Sequence, residues 1–243
     1  MRLHQYPTYL RQFGICRGTR FYLADLARAV LDPYARIYYS QGGEDTILRT
    51  FEMPAKGFYV EVGANHPEHR SNVFEFYRRG WHGISIEANE AFVAKHRRAR
   101  PRDVIVCAVV SNTEQQVKFT EFHNHLISSA SSEFAAAMKD GQGMTVATEK
   151  WVQSRTLTNI LESEGCPAQF DLLSIDVEGH DYEVLTSLDL GRYRPKVIII
   201  EMHDFAFSTI PSDRICQHLQ KNGYELKGHV ATNSYFKDAS WTS

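Results

Sequence analysis

Short, continuous apolar runs alternate with amphipathic stretches along most of the chain, and that alternation predicts an α/β fold. Phe58-Tyr59-Val60-Glu61-Val62 is the first such run and ends in Gly63-Ala64-Asn65. A helix is expected over residues 71–79, closed by Gly80, then a strand over 83–87. A second helix over 91–100 stops at Pro101, and a third strand covers 104–110. Further on, 158–164 and 213–222 read as helices, the latter capped by Gly223. Residues 172–176 and 197–201 are apolar without alternation, as strands buried on both faces of a parallel sheet must be. A closing strand or hairpin is expected after Gly223.

Two regions break the rhythm. Residues 1–38 carry six arginines against two aspartates and predict one helix, 21–31, stopped before Pro33. This N-terminal helical extension is expected to pack on its own domain with its charges solvated; contact with a membrane surface is the alternative. Residues 111–150 hold an expected edge strand (117–122), a Ser-rich loop containing His123 and His125, and a Gly141-Gln142-Gly143 turn. They read as an insertion within one domain spanning 39–243, because the α/β alternation resumes afterwards.

Composition changes this picture little. The 243 residues are 43% hydrophobic and 23% charged, with a formal net charge of -2, which excludes a disordered chain and a whole-surface polyanion binder. No run approaches the roughly 18 apolar residues of a membrane span, and the N-terminus lacks a secretory h-region. The four scattered cysteines form no CxxC pair, so reduced thiols and a cytoplasmic location are expected.

Candidate chemistry gathers at the strand ends, where Glu61, Glu87, Asp176 and Glu201 each close an apolar run. In an open parallel sheet those ends face the ligand crevice, and a carboxylate there must be hydrated, paired or bound. Glu87 follows Glu61 by 26 residues, about one βαβ unit, and can accept the hydroxyl protons of a ribose. The turn Gly63-Ala64-Asn65-His66-Pro67-Glu68 has one glycine and an acidic residue, which suits no pyrophosphate. S-adenosylmethionine carries a sulfonium and an ammonium instead, so the turn favours this methyl donor over NAD. Glu61 and Gly63 are expected to hold its methionine part. Asn65 and Ser71 are expected at its carboxylate, Glu87 and Ala88 at its ribose, and Cys107 and Ala108 at its adenine. For each there is an ordinary structural alternative: a helix cap for Glu61 or Ser71, a surface ion pair for Glu87, a core position for Cys107.

Several blocks together resemble the FkbM family of methyltransferases. They are Ser40-Gln41-Gly42-Gly43-Glu44-Asp45, Phe58 to Asn65, Ser71-Asn72, Gly80 to Glu87, Asp171 to His180, and Ile200-Glu201-Met202-His203. The chain has Glu61 where the family often has Asp, and Asp181 where it often has Glu. The resemblance implies a class I methyltransferase fold, a mostly parallel seven-stranded sheet with helices on both faces. It also implies O-methylation of sugars, glycolipids or secondary metabolites, and it places Gln41 and Glu44 in the site.

Methyl transfer to oxygen requires a group that accepts the hydroxyl proton. Asp176 and His203 are the candidates, His203 first because an imidazole of ordinary pKa is half-titrated near neutral pH. His66 and His180 are weaker ones. Asp176, Glu178, Glu201 and His203 also form a possible divalent-cation set, but no tight motif fixes their geometry, so no metal is assigned. The basic run over 95–102 lacks interleaved aromatics and reads as a solvated helix face. N-methylation on the same scaffold, nucleic-acid binding through that run and NAD-linked oxidoreduction are the competing readings. The expected acceptor is a small molecule or glycan, with no nucleic acid.

Overall fold

The computed structural model describes residues 6–31, 38–124, 127–203, 205, 206, 208 and 210–241. The expected helix stop at Pro33, and His125 and Leu126 of the Ser-rich loop, lie outside them. In chain order, helix α1 (Tyr6–Leu31) and a short α2 (Glu44–Leu48) precede strand β1 (Phe58–Val62). Then come α3 (Phe74–Arg78), β2 (His82–Glu87), α4 (Glu90–Ala99), β3 (Val104–Cys107) and β4 (Val109–Val110). After β5 (Gln116–Phe122), α5 (Ser132–Ala136) and β6 (Val146–Arg155), the alternation resumes with α6 (Leu157–Ser163), β7 (Gln169–Ile175), α7 (Asp181–Thr186) and β8 (Arg194–Glu201). Helix α8 (Arg214–Lys221) and the hairpin β9 (Tyr224–Val230) and β10 (Asn233–Asp238) close the chain.

Seven strands form one sheet in the order β3-β2-β1-β7-β8-β10-β9, parallel except for β10, which runs against both neighbours. The order turns back between β1 and β7, so their carboxyl ends flank a crevice at the topological switch point. The two faces differ. Val60, Val62, Ile84, Ile86, Ile175 and Ile200 pack against the aliphatic stripes of α6, α7 and α8. Tyr59, Leu172, Val197 and Ile199 pack against Leu48 and the aromatic group Phe74, Phe76, Tyr77 and Trp81.

The departures from the expected elements have local causes. The first helix begins at Tyr6 and breaks at Gly14 (φ 73°, ψ 174°). It lies against α3, where Arg78 donates to Asp25 at 2.6 Å and spreads its guanidinium over Tyr9 and Phe21. Helix α3 is shorter than expected because Ser71 and Asn72 spend their side chains on Glu61 and Ser174. The third expected strand splits at Ala108, and Val109–Val110 leaves the main sheet to pair with β6. Strand β6 was not expected at all. It carries β5 antiparallel on its other edge, and the three make a second sheet in the order β4-β6-β5. Helix α5 grows from the Ser-rich segment, capped by Ser131.

Arg100 is the largest departure from a solvated basic face. Lys95, Arg97 and Arg98 are exposed, whereas Arg100 is buried just beyond α4. Its Nη1 donates to Glu61 at 2.9 Å, its Nε to Asp103 at 2.6 Å and its Nη2 to Ser85 at 2.9 Å. Asp103 in turn accepts from Tyr59 Oη and from the Gly83 amide. Removing the cation would strand two buried carboxylates. Arg100→Met should therefore lower the unfolding free energy by about 3–5 kcal/mol, against about 0.5 kcal/mol or less for Arg98→Met. Equal urea midpoints for the two variants would overturn this account.

Candidate active site

Two cavities open over the carboxyl edge of the sheet. The first, of about 790 Å³, is framed by Val62, Gly63 and Asn65 after β1, Glu87 and Ala88 after β2, Ala108 to Val110 after β3, and Asp176 to Glu178 after β7. Gly63 is required by close approach as well as by its φ of 80°: a Cβ there would stand 1.7 Å from the Asp176 carbonyl oxygen. The turn is pinned by Gly63 and Ala64 amides donating to Ile86 O, and by Asp176 N donating to Val62 O. The Glu87 carboxylate accepts the backbone amides of Asn65 and Asn89, each at 2.7 Å. Burial raises its pKa against the pull of those amides.

Several expected contacts lie elsewhere. Glu61 and Ser71 are buried beneath the turn, bound to Arg100 and to each other, and do not line this cavity. The Glu61 carboxylate has a pKa raised by burial and lowered by Arg100, with the first effect larger. Glu44 accepts the Gly42 amide at 2.8 Å and Asn233 Nδ2 at 3.3 Å, so it braces a loop rather than lining the site. Its neighbour Gln41 does line the cavity. Cys107 is exposed and does not line the cavity, although its Sγ lies 4.0 Å from the carbonyl oxygen of Ala88, which does. His66 accepts the Glu68 and His69 amides in its own turn, and His180, which lines the cavity, meets Ser111 Oγ at 3.0 Å.

The second cavity is a broad cleft of about 2030 Å³. Gln41 and Glu178 line both, so the two spaces share a wall. Its floor holds Glu178, Asp181, Glu201 and His203, and the insertion supplies Phe134, Met138 and Met144. His203 Nε2 stands 3.1 Å from Glu201 Oε2 and 3.7 Å from Glu178 Oε2, and its ring stacks on Phe134 at 5.8 Å between centroids. Contact with Glu201 pushes the His203 pKa up to about 9, so the imidazole of the free protein is a cation at neutral pH and not the half-titrated base expected. Burial first, then neighbouring carboxylates, raises Glu178 to about 8 and Asp181 to about 7. The same causes hold Asp176, which contacts Glu201, well above the usual carboxylate range.

The Methyltransferase FkbM domain profile matches residues 61–226, more than half of the chain. The chain belongs to the FkbM methyltransferase family. No curated protein matches it at comparable stringency. Among solved structures, a TehB-like SAM-dependent methyltransferase from Corynebacterium glutamicum is similar at 10% identity, over 90% of this chain and 97% of that one, with a TM-score of 0.41. A likeness that distant transfers no residue role.

This FkbM methyltransferase takes its methyl group from S-adenosylmethionine, and the first cavity suits such a donor. Its polar wall carries the carboxyl groups of Glu87, Asp176 and Glu178 beside a single arginine, Arg70, and a ligand bearing positive charge would draw those groups into their ionised form. The Gly63 turn lets backbone approach where any side chain would intrude. Sequence reasoning missed Arg70, Phe119, Ser128 and Ala130 in this wall. Phe119, Ser128 and Ala130 come from the insertion, whose strands are exposed on one side and carry no buried-sheet pattern. Gly63→Ala should cost far more stability than Gly143→Ala. The latter has a φ of 64° with nothing within 4 Å, and so incurs only the backbone term of about 1–2 kcal/mol. Chemical denaturation of both variants checks this, and equal losses would refute the close-approach argument.

Proposed function

We propose that this methyltransferase acts on a hydroxyl oxygen of a small-molecule, sugar or glycan acceptor. The observation that carries the reading is the shared wall. A cavity suited to the donor meets a large cleft at Gln41 and Glu178, beside a carboxylate–imidazole cluster able to take a proton. The cleft mixes aromatic and thioether surface (Phe134, Met138, Met144, Tyr182) with carboxylates, a combination suited to sugar rings and their hydroxyls.

Bound S-adenosylmethionine supplies a methyl group on a positively charged sulfur. In this reading Glu87 holds the ribose with the carboxylate lone pairs that the Asn65 and Asn89 amides leave over. Ala88 and Ala108 flank the adenine, and Gly63 and Asn65 face the amino-acid end. Glu61 and Ser71 act from below by fixing the turn. The cluster of Asp176, Glu178, Glu201 and His203 orients the acceptor hydroxyl and receives its proton.

S-adenosylhomocysteine should raise the melting temperature, and Glu87→Ala should abolish most of that ligand-induced shift, whatever it does to the unliganded protein. An undiminished shift would remove Glu87 from the ribose. His203→Ala should slow turnover by about 100-fold or more while changing donor affinity little. The assay is transfer of a tritiated methyl group to sugars, oligosaccharides and lipid-linked glycans. Transfer only to amine acceptors would overturn the hydroxyl reading.

A further inference from the structure

We propose that Glu178, Glu201 and His203 bind a divalent cation of the hard-to-borderline kind, with Mn²⁺ as its type, on the seam between the donor cavity and the acceptor cleft. The residues come from two adjacent strand ends. Glu178 sits in the loop after β7, Glu201 is the last residue of β8, and His203 lies two residues beyond it. One ligand atom from each falls within 4.8 Å of the others. Around an ion with bonds of about 2.1 Å, ligand atoms stand about 3.0–4.2 Å apart. The distances of 3.1 and 3.7 Å from His203 Nε2 to the two carboxylates already lie in that range.

A second observation is independent of this clustering. Glu201 is only 8% exposed, and its Oε2 accepts no well-aligned hydrogen bond; the one group facing it is the partly exposed His203 imidazole, 3.1 Å away. A buried carboxylate oxygen in that condition needs a facing positive charge, which the protonated imidazole supplies in the free protein and a bound cation would supply in its place. Elsewhere the fold answers buried acids with cations: Glu61 with Arg100, Asp25 with Arg78, Asp238 with Arg194. Among the described residues no lysine or arginine forms an ion pair with Asp176, Glu178, Asp181 or Glu201. Arg214, in the cleft wall, pairs with Glu183.

The surroundings are those of an organised ligand set. Asp181 accepts the Val177 and Gly179 amides at 3.1 Å each, fixing the loop that carries Glu178, and Ser129 Oγ donates to the Glu178 carbonyl at 2.6 Å. Two carboxylates and an imidazole, with no thiolate, suit Mn²⁺, Mg²⁺ or Zn²⁺. Three protein ligands leave positions for water and an acceptor oxygen, and an ion held there would lower the pKa of a hydroxyl bound to it. That use rests on the hydroxyl reading above; binding of the ion does not.

The test is titration of EDTA-treated, dialysed protein with MnCl₂, followed by calorimetry and by loss of the free-Mn²⁺ electron paramagnetic resonance signal. One ion per chain is expected, with affinity reduced by about tenfold or more in Glu178→Gln, Glu201→Gln and His203→Asn. His203 is partly exposed, so its variant keeps the test valid should the buried Glu201 variant fail to fold. S-adenosylhomocysteine binding serves as the check of fold. Absence of binding at millimolar Mn²⁺, or equal affinity in the wild type and His203→Asn, overturns the proposal. Mn²⁺ binding without methylation of any hydroxyl would leave the ion site standing and remove the hydroxyl reading. Full hydroxyl methylation in EDTA, with no Mn²⁺ bound, would do the reverse.

Discussion

Carboxylates crowd the carboxyl edge of this sheet, and the fold depends on how each is neutralised. Arg100 settles the first case. Its guanidinium reaches from the end of α4 to Glu61, Asp103, Ser85 and Tyr59, tying β1, β2 and the approach to β3 into one buried network. Because β1 and β2 carry the Gly63 turn and Glu87, the position of the first cavity is set by that network. A buried ion pair of this kind adds little net stability over apolar packing, yet leaving one partner alone is severe, so it specifies geometry more than it strengthens the fold.

The second group of carboxylates, at the ends of β7 and β8, has no such arginine. Burial, and then the neighbouring Glu201 carboxylate, raises the proton affinity of Asp176, Glu178 and Asp181, and His203 is drawn into the positive state beside them. Charges that close titrate as a unit, so proton uptake at this end of the sheet belongs to the group and not to one named base. The contrast between the two ends gives the edge its direction, with a fixed structural end under the first cavity and a chemically responsive end facing the second.

The legible parts of the sequence were those where burial is complete. β1, β7 and β8 appear as unbroken apolar runs because both of their faces are covered, and the acids at their ends stand out against that background. The Gly63 turn and Glu87 were readable for the same reason. β6 was not, since Val146–Arg155 is mostly exposed and mixes charged and polar residues with its apolar ones. Arg100 was hidden inside a basic run whose lysine and other helix arginines are solvated; only the packing of α4 against β2 and β3 separates it from Arg97 and Arg98. Glu61 was read as a ligand because a strand-end acid looks the same whether a substrate or a buried arginine meets it. Glu44 and Cys107 likewise do not line the first cavity, because the direction of a side chain is not readable from its type.

The insertion joins the two cavities. Phe119, Ser128 and Ala130 line the first, while Phe134, Met138 and Met144 line the second, so one excursion of the chain touches both. It is fastened at the junction. Ser129 holds the Glu178 carbonyl, and the Phe134 ring lies between Gly179, where a Cβ would stand 3.0 Å from it, and the stacked His203. Glu178 itself sits at a φ of 55°, a backbone state that a non-glycine residue keeps only when its surroundings enforce it. The insertion is therefore joined to the loop bearing Glu178, the residue that lies in the wall of both cavities. On the function proposed above, a change in the insertion that reshapes the second cleft is transmitted through Glu178 to the wall of the first.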